Sequence, residues 1–422
     1  MGILNWGFRS NIKIHQVPES KSIELPSKKS GETITFNQLI STLNTIDPSK
    51  KLWLNPLLFN GSLQTLYYTS ANSPDKFVIW YGREIFNYKD GGVCSLDWVI
   101  EKPESKEEFK KIGEETLPEG FPKLHPRTRY FTKEELENLN KPSIENDKPI
   151  LVILHGMGGG SHEALIRDFA QVIQKNTDGW DIVVINNRGC CRTKVTTEKL
   201  FTALATDDVR EVLTDFKSKW PNRKIFITGF SLGAAILANF LGEEGEKGGE
   251  QLVTAACAVS CPWDFIDSAY HIESSYTGKY LLGPGLTSFL TKIVKNNYRE
   301  ISTHRPDLVN EEVMKKLKTI KSTWQFDDLI TCKTSNFQNA FEYYREASPQ
   351  NKILSIKTPL LIINSTDDPA VGCRLPILDC KTNPYLCLVE TDLGGHLGYI
   401  DFNGEFWCVK AAEEFFQKFA DL

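Results

Sequence analysis

A serine with glycines on either side is the strongest chemical signal in the sequence. The pentapeptide GFSLG places Ser231 between Gly229 and Gly233, directly after an apolar run and directly before an alanine-rich one. A strand that turns sharply into a helix would strain the backbone at the serine, and the glycines remove side chains that would collide with the turn. The pattern predicts an exposed hydroxyl at a nucleophile elbow, although a serine after a strand can also simply cap the following helix.

A serine hydroxyl needs a base in order to act as a nucleophile near neutral pH, and that base is usually an imidazole held by a carboxylate. The chain has seven histidines. In a sheet that carries this elbow the chain order is serine, acid, histidine, which leaves His271, His304 and His396 after Ser231. The first two fall in a predicted helical insertion. We predict His396 as the base because it follows an apolar run in a loop that contains glycines.

Two adjacent aspartates are candidates for the acid. Asp367 and Asp368 lie in the segment NSTDDPAV, which follows an apolar run ending at Ile363. Asp368 precedes Pro369, whose ring fixes the backbone beyond it, and the interval to His396 leaves room for one helix and one strand. We favour Asp368 as the acid and assign Asp367 to the turn, with either able to reach the histidine.

Acyl transfer from such a serine also needs backbone amides aimed at the developing oxyanion. Leu232 follows the nucleophile at the predicted start of a helix and supplies one N–H group. The second is expected from the glycine-rich segment HGMGGG, residues 155–160, where we predict Met157 as the donor and His155 as a structural support. This loop lacks the ending of a phosphate-binding P-loop and the glycine spacing of a dinucleotide site.

Short apolar runs that alternate with helical segments must position these residues. The strand-like runs span residues 149–154, 181–185, 224–227, 254–259 and 359–363, and the helical segments lie near 162–175, 207–219 and 233–241. Alternation of this kind is typical of a parallel sheet built from βαβ units, so the predicted class is α/β. Residues 77–81 and 93–100 flank a DGG turn and predict an antiparallel hairpin at an edge of the sheet.

The remaining segments suggest one elaborated domain. We expect an N-terminal extension over residues 1–60, and a main domain over residues 61–422. Within that domain, residues 102–147 are charged and punctuated by prolines, which indicates an excursion over the surface. The interval of about 262–357 is helical and rich in aromatic residues, and it falls between two core strands. We predict that it forms a cap above the strand ends.

Composition and charge exclude several classes of protein. The 422 residues carry 49 basic and 54 acidic groups that are well mixed, with a net charge of −5 and no basic tract, so nucleic acid is not an expected partner. No apolar stretch is long enough to span a bilayer, and the opening MGILNWGFRS is too short for a secretory signal. We expect an intracellular, cytoplasmic protein. Trp6 and Phe8 could contact a lipid droplet or membrane surface peripherally, or pack onto the domain.

The ten cysteines give no metal signal. No CxxC pair is present, and Cys373, Cys380 and Cys387 recur without histidines at ligand spacing. Buried free thiols in a reducing compartment are the better interpretation. We therefore expect no metal and no cofactor, with a metal or redox role for the cysteines as the weaker alternative.

Longer motifs resemble a known family. The segments HGMGGGSHE, NNRGCCRTKVTTEKLFTA, GFSLGAAILANFLGEEG, CPWDF, INSTDDPAVG and TDLGGHLGYID together resemble the AB hydrolase 4 family, and the likeness extends to GSLQTLYY and YGREIFNYKDGGVCSLDW. It is strongest for the fungal branch that holds medium-chain fatty acid ethyl ester synthases/esterases and monoacylglycerol lipases. The resemblance implies an α/β-hydrolase fold, a triad of Ser231, Asp368 and His396, and acyl chemistry on apolar esters.

Several functions remain open at this stage. The resemblance implies a serine acyl enzyme that takes an acyl ester or acyl-CoA together with water or an alcohol, and makes or hydrolyses medium-chain esters. A monoacylglycerol lipase would use the same residues. A third interpretation, of another class, is a lipid-binding protein that has kept an inactive triad. Fluorophosphonate labelling separates that third interpretation from the two enzymes.

Overall fold

The computed structural model describes residues 7–26, 33–70, 74–177, 179–372 and 374–422. The strands in these ranges are β1 (Arg9–His15), β2 (Glu24–Pro26), β3 (Thr33–Thr35), β4 (Lys51–Trp53), β5 (Trp80–Asn87), β6 (Val93–Ile100), β7 (Thr128–Tyr130), β8 (Ile150–Leu154), β9 (Asp181–Asn186), β10 (Ile225–Phe230), β11 (Ala255–Val259), β12 (Leu360–Ser365) and β13 (Leu386–Thr391).

The helices of the same ranges are α1 (Phe36–Ser41), α2 (Gly61–Ser70), α3 (Lys106–Glu115), α4 (Lys133–Leu139), α5 (Ala164–Asn176), α6 (Thr206–Lys219), α7 (Leu232–Lys247), α8 (Phe265–Ser274), α9 (Gly283–Asn296), α10 (Tyr298–His304), α11 (Glu311–Leu317), α12 (Thr323–Phe326), α13 (Cys332–Thr334), α14 (Ala340–Ala347), α15 (Ile377–Cys380) and α16 (Trp407–Ala420). Two π-helical segments, Gly278–Leu282 and Asp327–Thr331, lead into α9 and α13.

Eleven of these strands form one sheet, in the order β4-β1-β13-β12-β11-β10-β8-β9-β6-β5-β7. The six central strands, from β13 to β9, are parallel. Antiparallel strands flank them, with β6 against β9 on one side and β1 against β13 on the other. This arrangement confirms the predicted α/β-hydrolase class. The five predicted core strands and three helices are all present, although α7 continues six residues beyond the predicted end at residue 241.

Apolar side chains cover both faces of the central strands. On β8, Ile150, Val152 and Leu154 belong to one buried cluster, whereas Leu151 and Ile153 belong to the other. Helices α6 and α7 pack on the first face, and α1, α5 and α16 on the second. Burial on both sides explains why these strands are apolar throughout and do not alternate.

The predicted antiparallel hairpin is present and its second strand spans residues 93–100 as expected, but its first strand begins only at Trp80 and the hairpin is not at the edge of the sheet. Its strands are β5 and β6, so residues 77–79 belong to no strand, and β7 pairs with β5 as the true edge. The expected surface excursion over residues 102–147 thus contains a sheet strand as well as α3 and α4. A strand of three residues in a charged segment carries no apolar period, which is why the sequence gives no sign of it.

The first 60 residues contribute to the sheet as well. β1 pairs with β13, and β4 pairs with β1 at the outer edge. Phe8 packs against Trp53 with ring centroids 6.0 Å apart, which matches the alternative that this end packs onto the domain. Trp6 lies outside the described residues. The division at residue 60 stays a prediction.

Nine cysteines are free and buried in the part of the chain described, as predicted, and Cys373 lies outside it. The interval between β11 and β12 is helical, from α8 to α14. Its role as a cap stays a prediction. Among the described helices, none combines the length and the apolar character needed to cross a bilayer.

Candidate active site

The turn at Ser231 has the geometry of a strained elbow. Ser231 lies between β10 and α7 with φ 53° and ψ −118°, a backbone region that non-glycine residues rarely adopt. A Cβ atom on Gly229 would come within 2.4 Å of the Gly233 carbonyl oxygen, and one on Gly233 within 2.4 Å of the Leu154 carbonyl oxygen. Both glycines are therefore required by close approach of the backbone, as the pentapeptide predicts.

The structure brings the three predicted triad residues into hydrogen-bond contact. His396 Nε2 lies 2.8 Å from Ser231 Oγ, and His396 Nδ1 lies 2.8 Å from Asp368 Oδ2. The Asp368 side chain is inaccessible to solvent, and its Oδ1 accepts hydrogen bonds from the backbone N–H groups of Ala370 and Val371. An imidazole placed in this way can accept the serine proton on Nε2 while the carboxylate fixes the proton on Nδ1.

Asp367 faces the histidine loop without touching the imidazole. Its Oδ1 accepts hydrogen bonds from the Gly395 N–H at 2.8 Å and from the Ser365 hydroxyl at 2.5 Å. Burial raises the pKa of the Asp367 carboxyl to about 6, although these hydrogen bonds oppose the shift. The side chain therefore shapes the loop before His396, which fits the turn role predicted for it.

Helix α2 holds the histidine loop from the other side. The His396 backbone N–H donates to Thr65 Oγ1 at 2.8 Å, and Thr65 in turn donates to the Gly61 carbonyl at 2.7 Å. Gln64, which is fully buried, accepts from the Ile400 N–H at 2.8 Å. Sequence reasoning missed these residues. The signal available was a glutamine and a threonine side by side within the otherwise apolar segment GSLQTLYY.

The glycine-rich loop passes beside the serine. A Cβ atom on Gly156 would lie 3.5 Å from the Ser231 Cβ, so the loop backbone reaches the nucleophile. His155 is fully buried; its Nδ1 donates to the Gly156 carbonyl at 2.7 Å, and its Nε2 accepts from the Asn187 N–H at 3.1 Å. His155 is thus a structural support for the loop, as expected. Met157 lies at the site beyond it.

Leu232 is the first residue of α7, so its amide has no acceptor within the helix. Its N–H is therefore free to face a ligand at the serine. The roles of Met157 and Leu232 as oxyanion donors stay predictions, because they depend on where a bound carbonyl oxygen would lie.

A buried ion pair supports the far end of the same loop. Arg83 donates to both carboxylate oxygens of Asp97, at 2.7 and 2.8 Å, and neither side chain is accessible to solvent beyond 1%. Asp97 Oδ2 also accepts from the Ser161 hydroxyl and from Asn186. The Ser161 N–H donates to Asn186 Oδ1 at 2.9 Å. The network ties the end of the glycine-rich loop to β5, β6 and β9.

One group of potential metal ligands occurs in the described ranges. Nitrogen or sulfur atoms of His125, His162 and Cys191 lie within 4.8 Å of one another. The two imidazole rings stack in parallel at 3.9 Å, so their in-plane lone pairs do not converge on one point. Arg83 also donates to Cys191 Sγ at 3.3 Å. Burial raises the pKa of the Cys191 thiol, but Arg83 and His162 outweigh it and the net pKa is lowered. The Cys191 sulfur thus already contacts Arg83 and His162, and the stacked rings do not present their nitrogens to a common metal position.

A cleft that is partly open to solvent lies over Ser231 and His396. Its walls are mainly apolar and come from the glycine-rich loop, from α7, and from helices between β11 and β12; representative wall residues are Phe265, Ile272, Leu286, Leu290 and Ile293. An apolar lining beside a serine hydroxyl suits a small-molecule substrate with an apolar part.

Comparisons with known proteins identify the family of the chain. The family profile described as alpha/beta hydrolase fold matches residues 149–402. A Saccharomyces cerevisiae protein named medium-chain fatty acid ethyl ester synthase/esterase 2 is 39% identical, over 99% of this chain and 97% of its own length. Monoacylglycerol lipase from the same organism is 34% identical over 97% and 90%. An abhydrolase domain-containing protein of Dictyostelium discoideum is 30% identical over 93% and 89%.

Proposed function

Because the chain belongs to the alpha/beta hydrolase family, we propose that it is a serine esterase and acyltransferase that makes and hydrolyses medium-chain fatty acid esters through an acyl-enzyme. The observation that carries the proposal is the His396 imidazole, which contacts Ser231 and Asp368 at 2.8 Å each beside an apolar cleft. Support for the medium-chain ester class comes from the synthase/esterase relative, which aligns over nearly the whole chain.

The proposed reaction begins with proton transfer. His396 Nε2 takes the proton of Ser231 as Oγ attacks the carbonyl carbon of an ester or acyl-CoA, and Asp368 keeps the imidazole in the tautomer that allows this. The amides of Met157 and Leu232 stabilise the oxyanion. His396 then gives its proton to the departing alcohol or thiol. Water or an alcohol, activated by the same imidazole, attacks the acyl-enzyme and releases acid or ester.

Monoacylglycerol lipase activity is the second candidate. The relative of that name is 34% identical over most of both chains. The triad serves both activities equally, since the acyl-enzyme is the same. The two differ in the alcohol part of the substrate and in the nucleophile that resolves the intermediate.

We also propose a cytoplasmic location with peripheral contact to a lipid surface. Buried free thiols fit a reducing compartment. Exposed large side chains lie on and between α8 and α9, the helices that bear cleft residues Ile272, Leu286 and Leu290. They are Tyr270 on α8, Phe289 on α9, and Tyr276, Tyr280 and Leu281 between the two helices. A patch beside a substrate cleft would let the enzyme draw apolar esters from the surface it touches.

Fluorophosphonate labelling tests the catalytic proposal. The native protein should be labelled on one serine, and labelling should disappear in Ser231→Ala. Ser268→Ala is a matched control, because Ser268 also lines the cleft but donates its hydroxyl to the Val371 carbonyl. It should label as the native protein does. An unlabelled native protein would instead support the lipid-binding alternative.

Product analysis then separates the two activities. Purified protein is incubated with octanoyl-CoA and ethanol, and separately with 1-octanoylglycerol. Ethyl octanoate as the main product would support the synthase. Rapid release of octanoate from the glycerol ester, without ethyl ester formation, would favour the lipase.

A further inference from the structure

A carboxyl group that the triad does not use lines the substrate cleft. Asp327 is 8% exposed, and its Oδ1 accepts from the Thr331 hydroxyl at 2.6 Å while its Oδ2 accepts from the Tyr344 hydroxyl at 2.6 Å. All three residues belong to the cleft wall. No lysine, arginine or histidine of the described chain forms an ion pair with Asp327. A buried acid without a cation is costly to keep, so its presence at a substrate cleft needs a reason.

The backbone places this acid in an uncommon way. Residues Asp327–Thr331 form a π-helical segment between α12 and α13, and such segments are rare and often lie at functional sites. Along this unit the cleft-lining residues include Thr323, Asp327, Thr331 and Thr334. Their spacing of three or four positions puts them on one face. The helical unit thus presents a polar stripe to a cleft that is otherwise mostly apolar.

The stripe has hydrogen-bonding capacity to spare. A carboxylate accepts about four hydrogen bonds, and Asp327 receives two from the protein side chains described. Burial raises the pKa of Asp327 to about 6, so near neutral pH it is mainly an acceptor. An acyl chain offers no donor to such a group. The hydroxyl groups of a polyol ester do.

We propose that Asp327, Thr331 and Tyr344 form a hydroxyl-binding subsite for the alcohol part of the substrate, which favours esters with free hydroxyl groups, such as monoacylglycerols, over ethyl esters of the same acid. This inference rests on the proposed function of the triad, and between the two candidate activities it favours the second, the lipase. It assigns to Asp327 a role in selecting the alcohol and none in the acyl transfer itself.

The test is Asp327→Asn in the full chain, with Asp328→Asn as the control. The introduced amide keeps the volume of the side chain and can still pair with both hydroxyls, but it loses half of the acceptor capacity. Asp328 is a neighbouring acid that is exposed and does not line the cleft. We expect Asp327→Asn to lower kcat/KM for 1-octanoylglycerol about tenfold and to leave ethyl octanoate within about twofold. Asp328→Asn should leave the ratio of the two unchanged.

A binding measurement makes the test independent of turnover. Calorimetry on Ser231→Ala and on Ser231→Ala/Asp327→Asn compares two stable ethers, 1-O-octylglycerol and ethyl octyl ether. The second change should weaken binding of the glycerol ether about tenfold and spare the ethyl ether. If the native enzyme shows neither labelling nor turnover, the proposed function fails, and this measurement still decides the subsite.

Three outcomes would overturn the subsite. Equal losses for both alcohol parts would assign Asp327 to packing. An unchanged ratio would show that the carboxyl meets no hydroxyl. An effect that follows acyl length instead of the alcohol would place the stripe along the acyl chain. Tyr344→Phe and Thr331→Val serve as second variants in case Asp327→Asn does not fold. Each removes one hydrogen-bond partner of Asp327, and each should change the ratio of kcat/KM for 1-octanoylglycerol to kcat/KM for ethyl octanoate.

Discussion

Replacing Asp368 by asparagine should put the proton on the wrong nitrogen of His396. Asp368 Oδ1 accepts from two backbone amides, at 2.8 and 3.0 Å, and Oδ2 faces His396 Nδ1. Those amides are fixed donors, so the carbonyl oxygen of the introduced asparagine must take the Oδ1 position and its NH₂ group must take the other. An NH₂ group that donates to Nδ1 forces the imidazole proton onto Nε2. The nitrogen beside Ser231 then cannot accept the serine proton.

The expected loss is about 10⁴-fold in kcat, or about 5.5 kcal/mol of transition-state stabilisation, because the wrong tautomer removes general-base catalysis. Binding should change little, since the cleft walls are untouched. Asp367→Asn is the matched control. Asp367 is the adjacent acid, but it bonds Gly395 and Ser365 and not the imidazole, so its amide variant should keep activity within about tenfold.

The assay is hydrolysis of p-nitrophenyl octanoate with fluorophosphonate labelling rates, and a thermal unfolding scan confirms that each variant is folded. A folded Asp368→Asn enzyme with more than about a tenth of native kcat would refute the tautomer argument. If Asp367→Asn were instead the inactive variant, the acid of the triad would be Asp367.

Two further predictions concern stability. Arg83→Met leaves the buried Asp97 carboxylate without its cation, which should lower the free energy of unfolding by about 3–5 kcal/mol. Because the unfolding entropy of 422 residues is near 0.9 kcal/mol per kelvin, the Tm measured by calorimetry should fall by about 3–6 °C. A fall of less than about 1 °C would contradict this prediction. Burial, and then the charge of Glu405, raise the pKa of Asp168 from 3.8 to about 7 in the folded protein. Between about pH 4 and pH 7 the folded state therefore holds a proton that the unfolded state has lost. The free energy of unfolding should fall by on the order of 4 kcal/mol as the pH rises through this range. The neutral side chain of Asp168→Asn removes this pH dependence, so the Tm of the variant minus the Tm of the native protein should be larger at about pH 8 than at about pH 5. A Tm difference that does not change with pH would show that Asp168 does not titrate in this range.

The contact between Ser231 and His396 could be anticipated because its determinants are local. The turn at Ser231 has no room for side chains at positions 229 and 233, so the two glycines indicate the turn directly. Parallel strands end at the same edge of the sheet, and the segments after β10, β12 and β13 therefore meet there. Chain order leaves three later histidines, and His396 is the one that lies outside the predicted helical insertion. The choice between Asp367 and Asp368 rested on one proline, and the structure places the imidazole on Asp368.

The hydrogen bonds that hold the loops around the site could not be predicted from the sequence. Thr65 bonds the His396 amide across most of the chain, and Arg83 on β5 bonds the Cys191 carbonyl and the Asp97 carboxylate. Contacts between residues so far apart in the chain produce no hydrophobic periodicity, which is the signal that a single sequence offers. The stripe that contains Asp327 was hidden for a different reason: it lies in an irregular helical unit within a segment that sequence reasoning treated only as a cap.

Helix α2 lies outside residues 149–402, the stretch that matches the family profile, yet its Thr65 hydroxyl accepts from the His396 N–H and its Gln64 amide oxygen accepts from the Ile400 N–H. A shortened protein cut to the matched stretch would keep Ser231, Asp368 and His396 and lose both hydrogen bonds. We therefore expect helix α2 to be required for full activity. Truncation, domain fusion and directed evolution of this enzyme should treat residues 61–70 as active-site sequence.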